Sequence, residues 1–165
     1  MQFKKTFLKN IKSGDIFAFQ EKGYFVYGRI INRTILGFFA VVFKTKTMEL
    51  DVEQNFDEIP FEFPPIVIDG MTFFQKNPDK DFGIIKSDPR YEIPQNIKSF
   101  NLVLGAHTEE DLHTCAGQVQ TFNYLGETEL ITGQENIAKL ENYSINCLIH
   151  SRFNIRAYAS QLLGL

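Results

Sequence analysis

The segment from Gly14 to Ile31 constrains the fold more than any other part of this 165-residue chain. An apolar, aromatic arm at residues 15–20 precedes Glu21-Lys22-Gly23, and a second arm rich in Tyr, Phe, Val and Ile follows. Because glycine readily adopts the positive φ of a tight turn, this pattern predicts a β-hairpin. Gly28 interrupts the second arm, which predicts a bulge or a close approach of another backbone, with Arg29 leaning outward beside it.

The remaining sequence also favours strands. Seventeen Phe and six Tyr are typical of pleated, half-buried surfaces, and the apolar run 38–43 predicts a third strand that is buried on both faces. The predicted strands are 15–20, 24–32, 37–46, 82–85, 100–105, 118–125 and 145–150, with a second hairpin at 66–74 around Asp69-Gly70. The predicted helices are 53–59, one that begins at Thr108, 135–141 and 154–163. The fold class is therefore mainly β (α+β): a single domain, 1–165, built as a curled antiparallel sheet or small β-barrel with one or two C-terminal helices.

The charge is unevenly distributed along the chain. A net charge of −3 argues against a general nucleic-acid binder, which needs a basic surface to neutralise phosphates. From Thr47 to Gln75 every charged residue is acidic: Glu49, Asp51, Glu53, Asp57, Glu58, Glu62 and Asp69. Such a run is either a solvated loop and strand edge or a surface that steers a basic partner.

The histidines and cysteines allow two further hypotheses. His113, Cys115, Cys147 and His150 could form a Cys2His2 zinc site, or a Cys–His pair could act as a nucleophile. The His-x-Cys spacing is unusual for zinc, and Cys147 lies in an apolar run that is typical of a buried thiol. We therefore expect no metal and no cofactor. Acidic pairs such as Asp79 and Asp81 lack the glycine of a calcium loop, and we interpret them as solubilising charge.

Two other features bear on location and partners. The N-terminus has lysines but no apolar segment of a signal peptide, and no run of about 18 apolar residues could span a bilayer. The sequence thus predicts a cytoplasmic protein without a membrane partner. Aromatic and basic residues at 24–29 could stack on single-stranded nucleic acid, so a small nucleic-acid-binding β-barrel stays an alternative, as does a small His/Cys-dependent enzyme.

The hairpin carries a resemblance to a known family. GDIFAF at residues 14–19, Gly23-Tyr24, YGRII at residues 27–31 and an apolar strand that ends in Val42-Phe43 resemble the opening of the immunity protein 26 family of bacterial polymorphic toxin systems. The strands PIVI at residues 65–68 and FGII at residues 82–85 fall where that family places its second pair of strands. The resemblance covers roughly the first 90 residues.

The resemblance implies a binding protein, not an enzyme, that neutralises a cognate toxin. It also implies scaffold roles for Gly14, Asp15, Gly23, Gly28 and Arg29, with Asp15 and Arg29 paired across the hairpin. Charge alone, rather than the family motif, nominates the partner-binding residues Glu49, Asp51, Glu53, Asp57, Glu58 and Glu62, with Phe56 or Phe61 as apolar anchors. The expected partner is a basic toxin domain, such as a nuclease, and no nucleic acid is expected to bind this chain directly.

Overall fold

The computed structural model describes residues 3, 6–60, 64–74, 82–106, 108–114, 117–145 and 148–165. Its strands are β1 (Ile16–Glu21), β2 (Tyr24–Thr34), β3 (Gly37–Thr47), β4 (Ile66–Ile68), β5 (Phe82–Lys86), β6 (Asn101–Leu104), β7 (Gln118–Asn123), β8 (Thr128–Thr132), β9 (Tyr143–Ile145) and β10 (Leu148–Ile149). Its helices are α1 (Gly70–Phe73), α2 (Gln95–Lys98), α3 (Glu109–Thr114), α4 (Gln134–Ile137) and α5 (Arg152–Leu163), with a 3-10 turn at Leu8–Asn10.

The strands form two sheets. One has six strands in the order β10-β4-β3-β2-β1-β5, and the other has four in the order β8-β7-β6-β9. Most neighbouring strands are antiparallel, but β10 runs parallel to β4 and β9 runs parallel to β6. The mainly β, α+β class is confirmed, whereas the sheets are not closed into a barrel. None of the helices in the described part of the chain is long and apolar enough to cross a membrane.

The predicted meander of β1, β2 and β3 is confirmed. Glu21 pairs with Tyr24, so the turn consists of Lys22 and Gly23, whose φ values of 48° and 85° are both positive. That geometry matches the right-handed twist of the flanking strands. The run Phe38–Phe43 is buried throughout, as its unbroken apolar sequence predicts.

Gly28 is both a bulge and a site of close approach, as predicted. The pairing of β2 with β3 shifts register between Val26 and Gly28. A Cβ atom at Gly28 would lie 2.2 Å from the ring of Phe17 and 2.5 Å from the carbonyl oxygen of Val41. Because neither distance is tolerable for real atoms, only glycine allows β1 and β3 to pack on β2 at this point.

The main core lies between the six-stranded sheet and the segments that cover one of its faces. The rings of Phe17, Phe19 and Phe82 stack with centroids 5.5–6.4 Å apart. Helix α5, predicted at 154–163, contributes the fully buried Ile155 and Ala159. It begins at Ser151, whose hydroxyl accepts a hydrogen bond from the Asn154 amide at 3.1 Å. Residues of both sheets belong to this core cluster.

Three predicted elements differ in the structure. The hairpin at 66–74 is wrong: β4 ends at Ile68, and Asp69 caps the short helix α1 by accepting a hydrogen bond from the Met71 amide at 2.9 Å. The helix at 53–59 is also wrong, because this segment forms turns in which the Asp51 carboxylate accepts from the amides of Glu53 and Gln54. These side-chain bonds offer the backbone an alternative to helix.

The third difference concerns 145–150, which the sequence predicts as one strand. The chain instead leaves β9 in the four-stranded sheet and enters β10 in the six-stranded sheet. The other predicted elements of this half are confirmed: β6, β7 and the start of α3, where the Thr108 hydroxyl accepts from the Asp111 amide at 3.0 Å. Helix α4 is shorter than predicted, and β8, α1 and α2 are elements that were not predicted from the sequence.

Candidate functional site: the acidic loop and the adjoining cavity

Five of the six predicted partner-binding residues lie on one connection, here called the acidic loop (residues 48–60), which follows β3. All five nominated residues within it are exposed: Glu49, Asp51, Glu53, Asp57 and Glu58. The sixth, Glu62, and the proposed anchor Phe61 lie outside the described residues. The loop therefore presents carboxylates to solvent in a chain segment that contains no basic residue.

The first part of the acidic loop is tied to β2 and β3 by polar contacts. The fully buried Tyr27 accepts a hydrogen bond at its hydroxyl from the Asp51 amide at 3.0 Å. The same hydroxyl lies 2.5 Å from Thr47 Oγ1, and Thr47 Oγ1 donates to the Glu49 carbonyl at 2.5 Å. These bonds satisfy a buried phenol and fix the backbone that carries Glu49 and Asp51.

The second part of the loop is tied down by an aromatic contact. Phe56 is 4% exposed, and its ring centroid lies 5.5 Å from that of Tyr27 and 5.7 Å from that of Phe43. Together with Ile16 and Ala18, these residues form a small cluster on the face of the six-stranded sheet opposite the main core. Phe56 is thus a core residue, and the prediction that it anchors a partner is wrong.

The buried position of Arg29 corrects two predictions. The residue does not lean outward: it is 4% exposed, and its Nη2 lies 2.7 Å from Asp57 Oδ1 of the acidic loop. Nor does it pair with Asp15, whose carboxylate accepts a hydrogen bond from the Lys12 amide at 2.9 Å. Arg29 projects from the sheet face that the acidic loop covers. The loop therefore shields from water an arginine that would otherwise be exposed on that face.

Arg29 borders a cavity of about 310 Å³ between the acidic loop and the segment 88–94. The guanidinium carbon lies 4.1 Å from the ring centroid of Tyr91 and 5.8 Å from that of Phe43. Both distances fall within the range of cation–π attraction. The acidic loop contributes Phe56, Asp57 and Ile59 to the lining of the cavity.

The pKa of the Tyr91 phenol is raised in this environment. Its burial raises the pKa of the phenol above the ordinary value of 10.0, and the Asp57 carboxylate adds to the rise. The charge of Arg29 and its hydrogen bond to the phenol lower the pKa without cancelling the effect of burial. The phenol therefore stays protonated at neutral pH and beyond.

The structure leaves the histidine and cysteine hypotheses without a described site. His113 and His150 are exposed, whereas His107, Cys115 and Cys147 lie outside the described residues. Within the residues that the structure does describe, no three His, Cys, Asp or Glu side chains are grouped so that they could hold a metal ion. The expectation that His113, Cys115, Cys147 and His150 hold no metal therefore stays a prediction.

Two of the residues at 24–29 that suggested the nucleic-acid alternative do not contribute to a stacking surface. Tyr27 is fully buried beneath the acidic loop, and Arg29 is paired with Asp57. Neither side chain presents a face on which a base could stack. The cavity beside Arg29 could not be predicted from the sequence, in which the one available signal was an arginine inside an otherwise apolar strand.

The chain was compared with known proteins in three ways. No family model, no curated protein and no solved structure matches it. Membership of the immunity protein 26 family accordingly stays a prediction.

Proposed function

We propose that this chain is an immunity protein that binds a cognate bacterial toxin through the acidic loop and so neutralises it. The observation that carries the proposal is the exposure of Glu49, Asp51, Glu53, Asp57 and Glu58 on a loop that Tyr27 and Phe56 hold against the sheet. In this proposal the complex forms in the cytoplasm. The partner is a basic toxin domain, such as a nuclease whose cleft attracts phosphate.

The charge of the acidic loop supports fast association with such a partner. No lysine or arginine lies between Thr47 and Gln75 to neutralise the carboxylates locally. A patch of one sign raises the local potential and accelerates encounter with a patch of the opposite sign, most strongly at low salt. The same patch repels other acidic surfaces and so contributes to specificity.

The anchoring of the loop supports affinity. Because Tyr27 and Phe56 already order the backbone, binding costs less conformational entropy than it would for a free loop. Met48, which is 75% exposed at the start of the loop, supplies an adaptable apolar contact beside the carboxylates. The toxin is inhibited by steric covering of its active-site cleft.

The proposal is tested by co-purification of the chain with the products of its neighbouring genes, each also expressed alone to measure toxicity. We expect one neighbour to be toxic alone and to form a stoichiometric complex that survives a salt wash. A toxic neighbour that is neither bound nor neutralised by this chain would refute the proposal.

A charge-reversal experiment assigns the binding to the acidic loop. The variant Glu53→Lys/Glu58→Lys should slow association with the toxin by roughly tenfold or more at low salt. The matched control is Glu110→Lys/Glu141→Lys, which changes the net charge equally at exposed positions outside the loop. Equal slowing by the two variants would show that only the net charge matters and would contradict a role for the loop.

A further inference from the structure

The buried guanidinium of Arg29 has fewer hydrogen-bond acceptors than it has donors. Its side chain is 5% exposed, its ion pair in the described chain is with Asp57, and it also donates a hydrogen bond to the Tyr91 phenol. Its Nε has no hydrogen-bond partner among the described residues. A guanidinium carries five N–H donors, and burial of unsatisfied donors and of charge is costly.

The cavity beside Arg29 has the size and lining of a small-molecule site. Its volume of about 310 Å³ lies at the lower end of the range for ligand pockets. Most of the wall is apolar or aromatic: Val41, Phe43, Phe56, Ile59, Tyr91 and Pro94. A buried cation beside a largely apolar wall suits a ligand that has one anionic group and a flat apolar body.

The present counter-ion of Arg29 is well placed to leave. The Asp57 side chain is 64% exposed and is readily rehydrated, so it can leave when another anion takes its place on the buried Arg29. A ligand carboxylate is planar and can accept two parallel N–H bonds from a guanidinium. A ligand carboxylate could therefore replace that of Asp57 and also accept a hydrogen bond from Nε of Arg29, which Asp57 leaves unpaired.

We propose that this cavity binds a small monocarboxylic acid with a flat, apolar body, whose carboxylate replaces that of Asp57 on Arg29. The ring of Tyr91 and the apolar wall hold the body of the ligand. Once Asp57 has left, two arginines and two carboxylates line the cavity, Arg29 and Arg90 with Asp88 and Glu92, so the remaining charges balance. That balance disfavours phosphates and dicarboxylates. The site does not depend on the toxin partner proposed above.

Isothermal titration calorimetry of the full chain with benzoate tests the proposal, with benzamide as an uncharged probe of the same shape. We expect saturable binding of benzoate in the range from micromolar to millimolar and at least tenfold weaker binding of benzamide. No saturable binding of benzoate, or equal binding of the two probes, would overturn the proposal.

Two variants and a control locate the carboxylate. Arg29→Gln should abolish binding of benzoate, provided that circular dichroism shows the variant to be folded. Asp57→Asn removes the competing carboxylate and should tighten binding by about tenfold. Glu58→Gln removes the same charge one residue further along the exposed loop and should change the affinity by less than about twofold.

The Asp57→Asn result is decisive even if Arg29→Gln does not fold. If the cavity is only a structural gap, Asp57→Asn should leave benzoate binding unchanged or absent. If benzoate binds elsewhere on the chain, Asp57→Asn and Glu58→Gln should have equal effects. Either result would refute displacement of Asp57 from Arg29.

Discussion

Replacement of Phe56 by alanine tests whether an aromatic side chain holds the acidic loop on the sheet. A phenylalanine buries about 150–250 Å² of apolar surface in a core, and Phe56 is 4% exposed. At about 25 cal/mol per Å², the lost burial corresponds to about 4–6 kcal/mol. The unfolded chain already buries part of this surface, which reduces the expected loss of stability to about 3–4 kcal/mol.

Urea unfolding measures this loss, with far-UV circular dichroism or tyrosine fluorescence as the probe because the chain has no Trp. The control Phe56→Leu keeps most of the apolar volume and should cost about 1–1.5 kcal/mol. A loss below about 1 kcal/mol for Phe56→Ala would refute the packing of Phe56 between Tyr27 and Phe43. Fast amide hydrogen exchange limited to residues 48–60 of the Phe56→Ala variant would then show that the loop opens while the sheet stays folded.

Substitutions at Gly28, Tyr91 and Asp57 test the close approach at the bulge, the buried phenol and the ion pair to Arg29. Gly28→Ala should destabilise the fold by about 3 kcal/mol or more in urea unfolding, because the new methyl group would overlap the ring of Phe17. Burial raises the pKa of Tyr91, so with rising pH the phenol ionises first in the unfolded state and only later in the folded state. The contribution of this phenol to the free energy of unfolding is therefore complete below pH 10.0 and is lost as the pH rises through the folded pKa. Tyr91→Phe should therefore flatten the fall of stability above pH 10.0 and remove a late-ionising phenol from an absorbance titration. Asp57→Asn should cost about 1–2 kcal/mol and more than Glu58→Gln, because it leaves the buried cation unpaired.

The first three strands could be predicted from sequence because local signals determine them. The Lys22-Gly23 turn, the apolar and aromatic arms on either side of it and the unbroken apolar run at 38–43 each indicate a structure without help from distant residues. Gly28 also follows this rule, since a glycine inside a strand indicates a close approach. The fold class follows directly from these elements.

The segment 66–74 could not be predicted in the same way. Asp69-Gly70 is typical of a hairpin turn, but Asp is equally favourable at the start of a helix. The choice depends on β4, which lies between β3 and the much later β10. Because β4 already has a neighbour on each side, the residues after it cannot fold back as a strand beside it.

The candidate site shows the same division between local and distant information. The run of acidic residues locates the loop, since charge pattern alone predicts exposure. Sequence could not show that Arg29 is buried, because the residues that cover it, Phe56, Asp57 and Tyr91, are separated from it by about 30 to 60 positions. A buried cation is determined by what packs on it, and that packing is a property of the tertiary fold.

Asp57 belongs both to the acidic loop and to the lining of the cavity, and its ion pair with Arg29 links the binding properties of the two. The adjacent residue, Phe56, packs into the sheet, so Asp57 is brought to Arg29 while the side chains of Glu49, Asp51, Glu53 and Glu58 face solvent. A basic partner that drew Asp57 away would leave a buried arginine without its counter-ion, which opposes such a contact. In the proposed complex the steering charge therefore comes mainly from the other four carboxylates. Asp57 instead holds the loop on the sheet through its ion pair with Arg29, at the edge of the cavity. Because a ligand carboxylate on Arg29 would replace Asp57 there, ligand binding would add the Asp57 carboxylate to the partner-binding surface.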